Sequence, residues 1–296
     1  MNATQQNRLI FPDEHCIVVF DTSPLRNLAY LEEAPNWIDT FRQMSQDNYY
    51  FSISDGACAE LLIQRAEGRI PDAGFRRMLD WIEPFLNIKV PVFPGKRDIM
   101  ELIHCSSEEH EWCEDEFFRL SELAWQFLKD SSESSRRLHT SAELVLQEER
   151  DHWIALFKQM RKKIEQTSIP PTELDERGGP ILSAAFAQMD AECNCTPPMS
   201  IRTDLQLRLA WRQYVRSEKI KQPYDPESFK KRNDGIDFDL YRYFLLPAFV
   251  VADDRGFFNA LEGIESFQRG WFCKPEELAE AWQEGERPKP NWPTAQ

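Results

Sequence analysis

Two apolar runs in this chain end in aspartate. Ile17-Val18-Val19-Phe20 leads into Asp21, and Phe249-Val250-Val251-Ala252 leads into Asp253-Asp254. Runs of this kind read as strands buried on both faces, as at the centre of a parallel sheet. Ligands of open α/β sheets bind outside the carboxyl ends of such strands, so Asp21 and Asp254 each fall where a site would lie. A third acid, Glu60, sits in the first two turns of the helix that follows a second strand. A fourth, Asp237, falls in the first turn of the helix before the strand at 249–252, with Asp234 three residues earlier on the same side. In a parallel sheet these elements meet at one edge. Carboxylates gathered there repel one another, and a divalent cation with hard oxygen ligands relieves that repulsion at neutral pH. Mg²⁺ or Mn²⁺ held this way polarises a phosphoryl oxygen and generates a hydroxide nucleophile. The plainer reading of Asp21, followed as it is by Thr22-Ser23-Pro24, is a helix N-cap. The recurrence of acids at equivalent places favours the metal ligand.

The elements that would position these acids alternate along the chain. After the first strand, Pro24 to Leu31 and Asn36 to Met44 read as short helices, broken at Ala34-Pro35. Tyr49 to Ile53 is a second strand, and Ser54 or Asp55 caps the helix Gly56 to Ala66. Phe75 to Leu86 has helical spacing, and Ile88 to Phe93 reads as a third strand whose Pro91 favours a sheet edge. That alternation points to a parallel sheet. From Arg97 to about Met160 the pattern is helical and acidic, with Glu108, Glu109, Glu111, Glu114, Asp115 and Glu116 crowded together as on a solvated helix face. A later helix, about Ser200 to Lys219, carries Arg208, Arg212 and Arg216 four apart on one face, with Trp211, Tyr214, Lys219 and Lys221 nearby. It is the best candidate for a phosphate-contacting surface, and equally reads as an exposed face paired with the acidic segment. Sheet character returns after Tyr224: helix Ile236 to Leu246, strand Ala248 to Ala252, helix Gly256 to Leu261, strand Ser266 to Cys273, and a last helix from Lys274.

Composition limits the classes open to the chain. At 296 residues, 42% of them apolar, it can bury a real core. No run approaches the ~20 apolar residues of a membrane span, and Met1 to Asp13 is too polar for a secretory signal, so the expectation is a cytoplasmic protein without a membrane partner. Seven cysteines without a framework spacing fit a reduced compartment. A net charge of −15 argues against coating nucleic acid through a broadly basic surface, while leaving room for a local basic stripe. Neither Gly-x-Gly-x-x-Gly nor a P-loop occurs. His104, Cys105, His110 and Cys113 are zinc-ligand types within ten residues, but their spacing is not that of a finger or ribbon. Cys193-Asn194-Cys195 lacks the second pair a zinc site needs.

On Ile17 to Ser23, on Ser52-Ile53-Ser54 leading to Glu60, and on Asn233 to Phe257, the sequence resembles the PIN-domain nucleases. The resemblance implies an α/β fold, a three-layer sandwich with a central, mainly parallel sheet. That sheet domain would comprise residues 14–95 and 225–283, interrupted by a helical insertion at 96–224 and followed by a flexible tail at 284–296. It implies that Asp21, Glu60, Asp237 and Asp254 bind Mg²⁺ or Mn²⁺, with Asp234 and Asp253 as accessories, in a ribonuclease that attacks phosphodiesters with a metal-activated water. Ala252 stands where the family often has Thr or Ser, and the long insertion departs from its small toxin-like members. The implied partners are an RNA substrate, a protein partner or inhibitor held by the insertion, and a second copy of the chain in a homo-oligomer. A toxin of a toxin–antitoxin pair and a defence nuclease both fit. The alternatives are a non-catalytic PIN-like scaffold binding nucleic acid or protein, and a haloacid-dehalogenase-like phosphohydrolase. The latter normally has a second Asp where this chain has Ser23.

Overall fold

Strand β1 (Cys16–Phe20) is buried along its whole length, as its unbroken apolar run requires, and is the middle strand of a five-stranded sheet. The computed structural model describes residues 15–93, 95, 99, 113–130, 135–166, 205, 208–216, 224–228, 230–231, 233–246, 248–262, 264 and 266–290. The other strands are β2 (Tyr49–Ser54), β3 (Val92–Phe93), β4 (Ala248–Val251) and β5 (Phe272–Cys273). Their order is β3-β2-β1-β4-β5 and every pairing is parallel. Val18 pairs with Phe51 on one side and with Phe249 on the other. The order therefore runs outward from β1 in both directions, which makes the boundary between β1 and β4 the topological switch point, where the carboxyl ends of an open sheet form a crevice.

Helices α1 (Thr22–Leu28), α2 (Asn36–Met44), α3 (Asp55–Ala66), α4 (Asp72–Ile82) and α5 (Glu114–Lys129) follow the first strands. The long α6 (Ser135–Glu165), the short α7 (Asp234–Asp239) and α8 (Arg255–Leu261), and α9 (Pro275–Gln283) complete the labelled helices. The all-parallel sheet flanked by helices is a three-layer α/β arrangement. An aromatic cluster fills one side of the sheet: Phe41 of α2 lies 4.8 Å from Phe51 of β2 and 5.9 Å from Phe20 of β1, and Phe85 stands edge-on to Phe51 at 5.2 Å. Each of these fully buried rings contributes about 1.5–3 kcal/mol by leaving water.

The chain divides into two compact units, Met1–Leu146 with Leu246–Asp254 and Gly270–Gln296, and Gln147–Leu245 with Arg255–Arg269. Residues 96–146 group with the sheet because α5 packs on its edge. There the fully buried Ser121 hydroxyl donates to the Val92 carbonyl at 2.5 Å and accepts from the Val92 amide at 3.2 Å, satisfying the outer side of β3. Residues 225–245 group with the second unit, whose centre is Trp153 of α6. The Trp153 indole donates to the Tyr224 hydroxyl (2.8 Å), which donates to Asp234 (2.7 Å), while Phe238 of α7 packs 4.5 Å from Trp153.

Several expected boundaries move for local reasons. The third strand shrinks to Val92–Phe93 because the Asn87 side chain accepts from the amides of Lys89 and Val90 and turns the chain there. Of the expected strand Ser266 to Cys273, only Phe272–Cys273 pairs, and Phe267–Trp271 is a 3₁₀ turn. The expected helix Ile236 to Leu246 is α7 followed by a 3₁₀ turn, Leu240–Leu245. The start of the expected flexible tail is anchored: Arg287 pairs with Asp47 at 2.8 Å, and the Pro288 carbonyl accepts from Tyr49 at 2.8 Å. Among the described residues no helix is long and apolar enough to cross a membrane.

Candidate functional site

Asp21 leaves β1 at the switch point and caps α1. Its backbone is extended, its Oδ2 accepts from the Ser23 amide (3.2 Å) and the Ser23 hydroxyl (2.8 Å), and its own amide donates to the Val251 carbonyl of β4 (2.9 Å). The cap reading of the sequence is thus realised at the same residue that occupies the sheet's carboxyl edge. Asp21 is only 8% exposed. Burial pushes its carboxyl above the usual aspartate range; the Ser23 hydroxyl and the amides of Thr22 and Ser23 pull it back, and the charge of Asp254 pushes it up again.

The β4 end is built to match. Ala252 donates to the Cys273 carbonyl at 3.0 Å, and the Asp253 amide donates to the Ser23 hydroxyl at 2.7 Å. Ser23 therefore bridges the two strand ends, donating to Asp21 and accepting from Asp253. The Asp253 carboxylate accepts from the Asn27 side chain of α1 at 2.7 Å. Asp254, next in the chain, is exposed. Glu60 stands on α3, which starts where the Ser54 hydroxyl accepts from the Ala57 amide at 3.0 Å. It reaches the site through Thr22, whose hydroxyl donates to Glu60 Oε2 at 2.5 Å.

Thus Asp21 and Asp254 lie within each other's electrostatic reach, and Glu60 is tied to the residue that follows Asp21. Asp237 and Asp234 belong to the second unit. There Asp234 accepts from Tyr224 and lies 3.6 Å from Lys231; burial raises its pKa, and both partners lower it. Asp237 adds its charge near Tyr241, whose hydroxyl burial lifts well above the ordinary tyrosine value while Arg212 opposes the shift. The arginines of the helical residues 208–216 do not share one environment. Arg216 is exposed and Arg208 half-buried, whereas Arg212 is buried and donates to the Ala260 carbonyl at 3.0 Å. Lys219, Lys221, His104, Cys105, His110, Cys193 and Cys195 lie outside the described residues, and Cys113 is exposed.

Among the described residues no three His, Cys, Asp or Glu side chains form a group that could hold a metal ion. The donor set at the switch point is instead two carboxylates, both hard oxygen ligands. Carboxylate oxygen is the donor type through which Mg²⁺ is commonly held, one or two carboxylates serving while water and substrate phosphate fill its other positions. Sequence reasoning missed the supporting residues Thr22, Ser23 and Asn27. Their signal was present: two hydroxyl residues directly after Asp21, and Asn27 one helical turn beyond Ser23 on the same face. No protein-family model, curated protein or solved structure matches the chain.

Proposed function

We propose that the chain is a metal-dependent nuclease of PIN-like fold that hydrolyses RNA phosphodiester bonds, with Asp21 and Asp254 as ligands of Mg²⁺ or Mn²⁺. One observation carries the reading. A carboxyl is buried at the end of the central strand, at the switch point, with a second acid close enough to raise its pKa further. A cation between the two groups reverses both penalties, because it favours the ionised form of each. When bound, such an ion polarises a phosphoryl oxygen and lowers the pKa of its water. Glu60, oriented by the Thr22 hydroxyl, is the group to take the water's proton. The choice of RNA rests on the likeness of Asp21-Thr22-Ser23 and its neighbours to the PIN-domain nucleases, which is analogy at the level of fold.

A second reading, a non-catalytic scaffold, draws on the cap bonds from Ser23, which give Asp21 a structural task without any ion. The two separate cleanly. Single-stranded RNA and DNA are incubated with wild-type protein and with Asp21→Asn, in Mg²⁺, Mn²⁺ or EDTA. The nuclease reading expects RNA cleavage that EDTA abolishes and that Asp21→Asn lowers by at least about 100-fold. Cleavage indifferent to EDTA or to the substitution overturns it, and wild-type protein that leaves RNA intact in both metals favours the scaffold.

A further inference from the structure

Beyond α9 the chain turns back onto the amino edge of the sheet. Gly285, with a φ of 86°, closes the helix: its amide donates to the Trp282 carbonyl at 3.0 Å, and the Glu286 amide donates to the Ala281 carbonyl at 3.1 Å. Arg287 and Pro288 are then fixed on the turn between α2 and β2. The Arg287 guanidinium lies 4.2 Å from the centroid of the Trp282 ring, donates through Nη1 to the Trp282 carbonyl at 2.7 Å, and pairs through Nε with Asp47 Oδ2 at 2.8 Å. The Trp282 indole donates to the same Asp47 oxygen at 3.3 Å. One residue on, the Pro288 carbonyl accepts from the hydroxyl of the buried Tyr49 at 2.8 Å, and Pro290 is buried in turn. Arg287 holds a φ of 48°, a left-handed backbone that persists in a bulky residue only where its surroundings over-determine it. The receiving turn is itself fixed, since the Asn48 carbonyl accepts from the Cys16 amide at the start of β1 (2.8 Å) and the Asp47 amide donates to the Met44 carbonyl (2.8 Å). What these contacts restrain is a short edge: β5 pairs with β4 only through Phe272 and Cys273, and so brief a pairing holds a strand weakly by itself.

We infer that residues 285–288 are a clasp that locks β5 and α9, a C-terminal unit able to open separately from the rest of the sheet, onto the α2–β2 turn, with Arg287 as its pin. The side chains of Arg287 and Asp47 are 49% and 44% exposed, so their charges alone hold little. The hold comes from several contacts made together: the guanidinium fork on Asp47 and the Trp282 carbonyl, its stacking on the indole, and the Tyr49 bond. Gln283 adds a bond from the end of α9 to the buried Thr40 hydroxyl of α2 at 2.6 Å. The clasp also bears on the opposite edge of the sheet, because the Cys273 carbonyl accepts from the Ala252 amide at 3.0 Å. Opening of β5 therefore frees the residue that precedes Asp253 and Asp254. The clasp is independent of any metal at the switch point.

Amide hydrogen exchange of the full chain, followed by mass spectrometry, reads the opening. The peptides compared cover residues 270–283 and 248–254 on one side and residues 16–20 and 49–54 on the other. Arg287→Ala speeds exchange across 270–283, and in the peptide carrying the Ala252 amide, by about tenfold, and leaves β1 and β2 at their wild-type rates. Arg287→Lys speeds it nearly as much, because an ammonium cannot repeat the fork. Ending the chain after Glu286 removes the Tyr49 bond as well and speeds exchange by about 100-fold. Asp47→Ala combined with Arg287→Ala gives less than the sum of the two single effects, as two sides of one contact must. Wild-type exchange across 270–283 in a folded Arg287→Ala protein overturns the clasp. A rise of equal size in β1 and β2 also overturns it, since the whole fold then opens and not a C-terminal unit. Arg287→Lys at the wild-type rates overturns Arg287 as the pin, because a point charge then suffices.

Discussion

Gly74→Ala sets two effects of opposite sign against each other. Gly74 lies buried in the first turn of α4, and a Cβ placed on it falls 1.9 Å from the Ala29 carbonyl oxygen and 3.0 Å from that carbonyl's carbon. Helix propensity alone favours alanine by up to about 1 kcal/mol. A carbon normally approaches a carbonyl oxygen no closer than about 3.3 Å, so α4 and the end of α1 must separate by roughly 1.4 Å. The obstacle is backbone and cannot swing aside. The Ala29 amide is bonded to the carbonyls of Leu25 and Arg26, which holds the end of α1 in place. Separation opens the layer containing Leu25 and Leu28 of α1 and Phe75 and Met78 of α4, all buried. Overpacking of this kind costs about 1–3 kcal/mol, and more when no neighbour can yield. The contact wins, and the expected net loss is about 2 kcal/mol, equivalent to a fall in Tm of about 4–8 °C for a chain of this size. Thermal unfolding by circular dichroism reads it, with Gly270→Ala as control, since a Cβ there meets nothing within 4 Å. Gly74→Ala melting at or above the wild-type temperature would refute the argument and return the decision to helix propensity.

Three further outcomes follow from the same kind of reasoning. Asp21→Asn keeps an acceptor for Ser23 but removes a buried, desolvated charge and its repulsion with Asp254. At pH 7 it is therefore expected to raise stability by about 0.5–2 kcal/mol while abolishing cleavage; a lower Tm with the fold intact counts against the assignment. For Asp234, which faces Tyr224 and Lys231, the folded-state pKa is raised, chiefly by burial, and Asp237 adds its charge near Tyr224. Its contribution to stability is thus full below the unfolded value near 3.9 and is lost as pH rises through the folded value. The Tm of Asp234→Asn minus that of wild type should grow between pH 4 and pH 7, and a constant or shrinking difference contradicts the shift. Ser121→Ala leaves both polar backbone groups of Val92 unpaired at a buried sheet edge, for a loss of about 1–3 kcal/mol in denaturant titration; a change under about 0.5 kcal/mol means water or a shifted α5 satisfies them.

What could be read from sequence tracks how local its physical cause is. The central strand was legible because burial on both faces leaves an uninterrupted apolar run, and Ile17 to Phe20 has one. Its place at the sheet's middle followed from the same run. The two-residue strands β3 and β5 were overdrawn, since their ends are set by the Asn87 turn and by a 3₁₀ turn at Phe267–Trp271. Neither turn alters the hydrophobic pattern enough to be noticed. Periodicity correctly put Arg208, Arg212 and Arg216 on related positions of a helix. It could not say which way the helix faces, and the buried Leu209, Trp211, Tyr214 and Val215 leave Arg212 in the interior, bonded to a carbonyl.

Asp21 shows why the cap and ligand readings were hard to rank and need not compete. The strand that puts a carboxylate at the switch point must turn into a helix at the next residue, and an aspartate there satisfies the first free amides of that helix. Donors that cap the helix also stabilise the ionised form, partly offsetting the burial that disfavours it. A buried carboxylate at such a position is thereby oriented by Ser23, and the same donors favour the ionised form that a cation would meet. Removing the Ser23 hydroxyl tests this coupling. Ser23→Ala withdraws one donor from Asp21 and the acceptor of the Asp253 amide, so it should weaken Mn²⁺ binding by about tenfold, the lower end of the effect of losing a group that orients a metal ligand. Mn²⁺ affinity equal to wild type in a folded Ser23→Ala protein would mean that the cap and the site are independent after all.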